Sequence, residues 1–266
     1  MVTGVDNAVG RHAVRLLAAT AGEVRAFVQA VPGEDPEGLA LVARLRAMGC
    51  KVAHGFLDDE AHVETALEQV HTVLHVLGRP TDDPDSYLEQ TATVIGSAIG
   101  AGCRRLVLLS DVALSSPTPS DLTGNAWLAA LREAEEMAAA APLESVVLRC
   151  AVVHGAGDVL TTSLASGVLG PQPDGAHWPV AAVDVATTAV LADAERELDT
   201  DLHVVVALAG PQRLCTADLA QALQRVVGAG AGEALPAHAR DLLLATIERP
   251  AGALGGQGTT VEAAWS

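Results

Sequence analysis

Apolar and polar positions along this chain fall into blocks whose period switches between that of a buried strand and that of a helix. The first block is Met1-Val2-Thr3-Gly4, apolar until it reaches a glycine; a short turn leads to Gly10 and a helical run over residues 11–19. Residues 23–28, 51–54, 72–77, 106–109 and 145–148 read as further strands, and 39–48, 60–70, 87–101 and 126–140 as helices. Gly49 and Gly102 follow two of those helices, where a residue without Cβ ends a helix most easily. The run at 72–77 is continuously apolar, as expected of a parallel strand buried on both faces. Six strands alternating with helices predict an α/β, doubly wound parallel sheet with right-handed crossovers.

After Arg149 the rhythm breaks. Residues 155–175 are glycine-rich and irregular, with a short helix expected at 160–165. Residues 178–183 are strand-like, 185–198 helical, 202–208 a strand and 216–227 a helix. A flexible joint at 228–232 precedes a last helix at 236–247, and the glycine-rich tail at 250–266 has too little to bury and is read as disordered.

Length and charge narrow the classes. At 266 residues, half of them apolar and with mean hydropathy +0.31, the chain can bury a large core. No apolar run is long enough to span a bilayer, and no secretory leader is visible, so a cytoplasmic protein with no membrane partner is expected. Net charge of −17 argues against a nucleic-acid partner. Cys50, Cys103, Cys150 and Cys215 form no paired motif, and the nine histidines have no metal-ligand spacing, so no metal is expected. A homodimer stays open. The chain has a single lysine, Lys51, and a single tyrosine, Tyr87.

The opening turn carries the first chemical signal. Strand, glycine turn and helix present backbone amides with no internal partner, and a dinucleotide pyrophosphate sits well on such a helix N-terminus. The spacing here is G-x-x-N-x-x-G, with Asn7 in place of the middle glycine. Asparagine tolerates unusual backbone angles, but its side chain takes space where phosphate approaches, unless its amide donates to that phosphate.

Several segments together resemble the atypical short-chain dehydrogenase/reductases, in their NmrA-like and NAD(P)-binding sugar-epimerase-like branch. They are Val2-Thr3-Gly4 with Val9-Gly10-Arg11, Val24 to Val28, Gly55-Phe56-Leu57-Asp58-Asp59, Arg105 to Ser110, Leu148-Arg149-Cys150 through Gly155, Pro179 to Ala186, and Leu208 to Pro211. The resemblance implies a Rossmann-like dinucleotide-binding domain over residues 1–150 and a smaller C-terminal, substrate-binding portion over 151–249. It implies an NAD(P) cofactor and a small-molecule substrate. Gly4, Asn7, Ala8, Val9 and Gly10 would face the pyrophosphate and Gln29 the adenosine ribose. Phe56 and Leu57 would lie against adenine, although a core role is the plainer one for Phe56. Leu77, Gly78 and Arg79 would line the dinucleotide path. Ser110, Cys150 and Ala151 would border the nicotinamide. Gln29 is neither the acid that selects NAD nor the arginine that selects NADP, so that choice stays open. The first strand is also short, which leaves either a mis-set start or a trimmed central strand.

Catalysis departs furthest from the family. Its tyrosine-lysine pair, Y-x-x-x-K, cannot be built from Tyr87 and Lys51; the matching helix carries Trp127-Leu128 and Leu131-Arg132 instead. Ser110, Asp111 and His154 are the remaining catalytic candidates. A loop or helix cap is the plainer role for Asp111, and a structural one for His154. Asp184 is expected to cap a helix, Arg149 to bond loop carbonyls and His75 to sit in the core. Three functions follow. The first is an NAD(P)-dependent oxidoreductase acting on a small carbonyl or quinone-like substrate. The others are a non-catalytic NAD(P)-binding sensor or regulator, and a cofactor-free isomerase or cyclase reusing the cleft.

Overall fold

The shortest strand lies at the centre of the sheet. In the computed structural model, β1 (Val2–Thr3) is flanked on one side by β2 (Arg25–Val28) and on the other by β4 (Thr72–His75). β3 (Lys51–His54) pairs outside β2. On the opposite flank follow β5 (Arg105–Asp111), β6 (Glu144–Cys150) and β9 (His203–Leu208). All these pairings are parallel, and the strand order is β3-β2-β1-β4-β5-β6-β9. The order reverses between β1 and β4, the switch point at which doubly wound sheets bind their ligands. The structure describes residues 1–20, 22–29, 36–78, 82–115, 125–155, 158–165, 178–194, 203–215 and 217–221.

Helices cover both faces. α1 (Ala8–Ala18), α2 (Pro36–Ala47) and α7 (Ala182–Ala194) lie on one, burying Val9, Val14, Leu45, Val185 and Ala189 with Val2, Leu74 and Val107 from the sheet. α3 (Glu60–Leu67), α4 (Pro84–Gly100) and α5 (Ala126–Ala140) lie on the other, where Leu67, Ile95 and Leu128 pack on Phe27, Val73 and Leu106. Burial on both faces is why apolar residues follow one another in β4 (Val73 and Leu74) and β6 (Val146 to Leu148) rather than alternating. At the start of β5, buried Arg105 donates to Glu144 Oε2 at 2.7 Å and to the carbonyls of Ala192 and Asp193. That arginine satisfies the last carbonyls of α7 and ties them to the sheet.

Most of the predicted elements are present with boundaries shifted by a few residues. The strand expected at 178–183 is a correction. Only β8 (Val180–Ala181) is extended, pairing with β7 (Val153–His154) in a separate two-stranded sheet, and α7 begins at Ala182. Alanines at 182, 186 and 189 favour helix there. Asp184 therefore lies inside the first turn of α7 rather than capping it. The expected helix at 160–165 is α6 (Val159–Ala165). Of the helix expected at 216–227, residues 217–221 are helical. The joint at 228–232, the helix at 236–247, the tail at 250–266 and Arg79 lie outside the described residues. Among the described residues, no helix is long and apolar enough to cross a membrane.

Candidate functional site

The opening turn is built by two glycines and one asparagine. Gly4 has φ +62°, the left-handed region, and a Cβ there would press on the Val76 carbonyl at 2.6 Å. A Cβ on Gly10 would collide with the Gly4 carbonyl, so α1 and the turn approach as closely as the backbone permits. Asn7 sits at φ −88° in ordinary extended geometry, so the backbone does not require glycine there. Its side chain caps α1: Oδ1 accepts from the Gly10 amide at 2.8 Å, and Nδ2 donates to the Val76 carbonyl at 2.5 Å. The Asn7 amide is thus committed to the end of β4. Ala8 and Val9, the first two residues of α1, keep buried amides that no group among the described residues accepts. They carry the partial positive charge of the helix terminus and need an acceptor.

A cavity of about 600 Å³ opens at this switch point. The turn contributes Val5, Asp6 and Asn7, and Val28 and Gln29 close the end of β2. Arg11 of α1 and Gly38, Leu41 and Arg44 of α2 line it from one face of the sheet. Leu77, Gly78, Asp82, Asp83, Ser86, Tyr87 and Gln90 line it from the other. Gln29 spans the floor: its Nε2 donates to Gln90 Oε1 at 3.4 Å, and its Oε1 accepts weakly from the Leu57 amide at 3.5 Å. Asp83 is occupied as the N-cap of α4, accepting from the Ser86 amide at 2.8 Å.

The residues expected against adenine divide. Leu57 is wholly buried in the core, which corrects its placement: its backbone, not its side chain, faces Gln29. Phe56 is the reverse; 48 % exposed, it is no core residue, and it is not among the described residues that line the cavity. Gly78 packs so tightly that a Cβ would meet the rings of Tyr87 and Trp127 at about 3 Å. Those two rings tilt against each other with centroids 4.9 Å apart.

The reaction end is drier than the family pattern implies. Trp127 and Leu131 are buried on α5, whereas Arg132 points outward and Lys51 is exposed at the start of β3, paired with Glu23. Burial pushes the Tyr87 phenol well above its usual range, and its hydroxyl completes no hydrogen bond among the described residues, with Thr91 beside it engaged by His75. Ser110, at the end of β5, donates its hydroxyl proton to Glu135 Oε1 of α5 at 2.5 Å. Glu135 in turn pairs with Arg149 of β6 at 2.6 Å. Arg149 is therefore held by a carboxylate, not by loop carbonyls. Asp111 accepts from the Ala113 amide at 2.8 Å, the turn-capping role. His154 lies on β7, outside the main sheet. Cys150 and Ala151 are buried at the end of β6, and burial pushes the Cys150 thiol well up. His75 is fully buried between Thr3 (3.0 Å) and Thr91 (3.1 Å), which lowers it to about 4 by desolvation.

Sequence reasoning missed Arg11, Arg44 and Glu135. The spacing of Gly38, Leu41 and Arg44, three residues apart on α2, was the available signal for that wall. Glu135 lies two turns after Trp127 on the same buried stripe of α5.

The fold and this site define a nucleotide-binding protein of the doubly wound class. A model of the NAD(P)H-binding family matches residues 4–193, well over half the chain, and the chain belongs to that family; NAD(P) is its cofactor. A (4-alkanoyl-5-oxo-2,5-dihydrofuran-3-yl)methyl phosphate reductase of Streptomyces griseus is 35% identical over 121 residues. That match spans 46% of this chain and 37% of the relative's length. Among solved structures, the UDP-glucose 4-epimerase of Bifidobacterium longum in complex with NAD+ and UDP superposes with TM-score 0.69 at 19% identity, covering 88% of this chain and 85% of that one. A nucleoside-diphosphate-sugar epimerase of Pseudomonas aeruginosa superposes with TM-score 0.66 at 20% identity, covering 96% and 86%. At such identities the structures share the fold. The family match sets aside a cofactor-free use of the cleft.

Proposed function

We propose that this protein is an NAD(P)H-dependent reductase of a small carbonyl or quinone-like acceptor that works without a tyrosine-lysine pair. The observation that carries this reading is the pair of unclaimed amides at Ala8 and Val9, opening α1 at the switch point of the sheet. Ala8 and Val9 would hold the pyrophosphate, Gln29 the adenosine ribose, and Phe56 would stack on adenine. Leu77 and Gly78 would line the path toward the nicotinamide, bordered by Ser110, Cys150 and Ala151, and residues after 150 would supply the substrate side. The bound cofactor supplies the hydride. Buried Trp127 and Leu131 exclude water where the family places its acid and its lysine. The Ser110 hydroxyl already donates its hydrogen bond to Glu135, so it offers a substrate only an acceptor oxygen. A substrate whose reduced form is completed by a solvent proton fits these residues best. The reductase relative, by its name, acts on an unsaturated oxo-dihydrofuran, an electron-poor acceptor of that kind.

The same Ser110–Glu135 bond favours a second reading, a dinucleotide-binding sensor with no turnover. Following NADPH oxidation with a panel of quinones, conjugated enones and simple ketones separates the two. Turnover with quinones or enones above the buffer rate supports the reductase; tight binding with no turnover on any acceptor supports the sensor.

A further inference from the structure

The end of β2 carries no residue that chooses between the two dinucleotides. Gln29 has neither the carboxylate that bonds a ribose 2′-hydroxyl nor the charge that holds a 2′-phosphate, and its amide is already turned toward Gln90 and Leu57. The charge is supplied from elsewhere in the same cavity. Arg44 reaches it from the exposed side of α2, and Arg11 from the first turns of α1. Among the described residues Arg44 makes no ion pair and no side-chain hydrogen bond. Arg44 lines the cavity in a chain of net charge −17, and no carboxylate among the described residues pairs with it. Arg11 is anchored through Nη1 to the Asp6 carbonyl at 2.5 Å, which aims it at the turn.

The cavity's acids are distributed differently. Asp82 and Asp83 come from the α4 side, and Asp83 is spent on its helix cap. Asp6 belongs to the turn beneath Arg11. Among the described residues, the cavity's arginines therefore lie on the α1–α2 side, next to the end of β2, and its acids other than Asp6 on the α4 side. A dinucleotide whose pyrophosphate rests on α1 and whose adenosine ribose meets Gln29 presents its 2′-position to the arginine side. Guanidinium is the group that pairs best with a phosphate, through two parallel N–H···O bonds.

We propose that Arg44, assisted by Arg11, is the 2′-phosphate recognition group of this chain, so that it prefers NADP(H) over NAD(H) although β2 ends in Gln29. The proposal rests on the dinucleotide site described above and adds its specificity. Arg44 is a solvent-facing residue of α2, and its replacement leaves the core and the opening turn untouched.

The test is equilibrium binding, by tryptophan fluorescence and calorimetry, of NADPH, NADH, 2′,5′-ADP and 5′-AMP to the full chain and to Arg44→Ala. The expected result is NADPH tighter than NADH, and 2′,5′-ADP tighter than 5′-AMP, by about tenfold or more, from one charge-assisted phosphate contact. Arg44→Ala removes that preference, leaves the NADH dissociation constant within about twofold, and melts at the wild-type temperature. Raising salt erodes the preference for NADPH before it erodes NADH binding. Equal affinity of the wild type for both dinucleotides overturns the proposal while leaving the dinucleotide site intact. So does an Arg44→Ala variant that weakens NADH and NADPH equally. Failure of all four ligands to bind at millimolar concentration overturns the site itself and the proposal with it.

Discussion

The side-chain amide of Asn7 donates to the Val76 carbonyl at 2.5 Å, joining the turn after β1 to the end of β4. The same side chain accepts from Gly10, so one residue caps α1 and fastens it across the sheet's switch point. Asn7 thus stands in for a glycine by bracing the turn rather than by opening it. Asn7→Gly loses both contacts; glycine in place of an N-cap asparagine costs a few tenths of a kcal/mol, and the lost bond to the Val76 carbonyl about 1 kcal/mol. We expect the variant to melt several degrees lower and to bind dinucleotide more weakly than wild type. Thermal melts and fluorescence titration check both; tighter binding by Asn7→Gly would show that the side chain obstructs the phosphate.

Gly10→Ala places a methyl group against the Gly4 carbonyl. Relief requires α1 to move away from β1, which destabilises by about 1–3 kcal/mol as overpacking does. Because that movement also displaces the Ala8 and Val9 amides, dinucleotide binding falls at least tenfold even at temperatures where the variant is folded. Circular dichroism confirms folding before each titration.

Tyr87→Phe separates burial from catalysis. The Tyr87 hydroxyl is buried without a completed hydrogen bond among the described residues, and such a group destabilises the folded state. Its removal leaves stability unchanged or raises it by up to about 1 kcal/mol, and it leaves NADPH oxidation unchanged. A tenfold fall in turnover would make Tyr87 the missing acid.

Buried His75 sets part of the acid sensitivity. Its folded value, about 4, lies below the unfolded 6.5 because burial opposes the charge. The unfolded chain therefore binds a proton that the folded one refuses between those values. The contribution is fully present above pH 6.5 and is lost as pH falls toward 4, by roughly 3 kcal/mol in all. Chemical denaturation from pH 7 to 4 measures the slope, and His75→Gln, compared with wild type, flattens it. Equal slopes would mean that His75 is protonated without opening the fold.

Much of the architecture was readable because parallel strands buried on both faces leave continuous apolar runs, as at Val146 to Leu148, and because Gly49 and Gly102 mark helix ends. The Gly4–Gly10 approach was readable for the same reason: only glycine fits it. Other features depend on contacts distant in sequence. Residues 178–183 look extended by composition, yet from Ala182 onward the chain joins a helix that packs on α1. Phe56 resembles a core residue in sequence but follows Gly55 on the surface, while its neighbour Leu57 takes the buried place. The Ser110–Glu135–Arg149 chain joins β5, α5 and β6, and no local pattern announces it. Arg44 is hard to read from sequence because an exposed arginine in the last turn of a helix usually only complements the helix dipole.

The most direct measurement follows the backbone amides of Ala8, Val9 and Gly10 by NMR during titration with NADPH. Phosphate oxygens resting on the first two amides of α1 shift the Ala8 and Val9 resonances strongly and together, in step with the global binding curve. Gly10, whose amide is already bonded to Asn7, moves far less. Ala8 and Val9 resonances that stay in place at saturating dinucleotide would contradict the account.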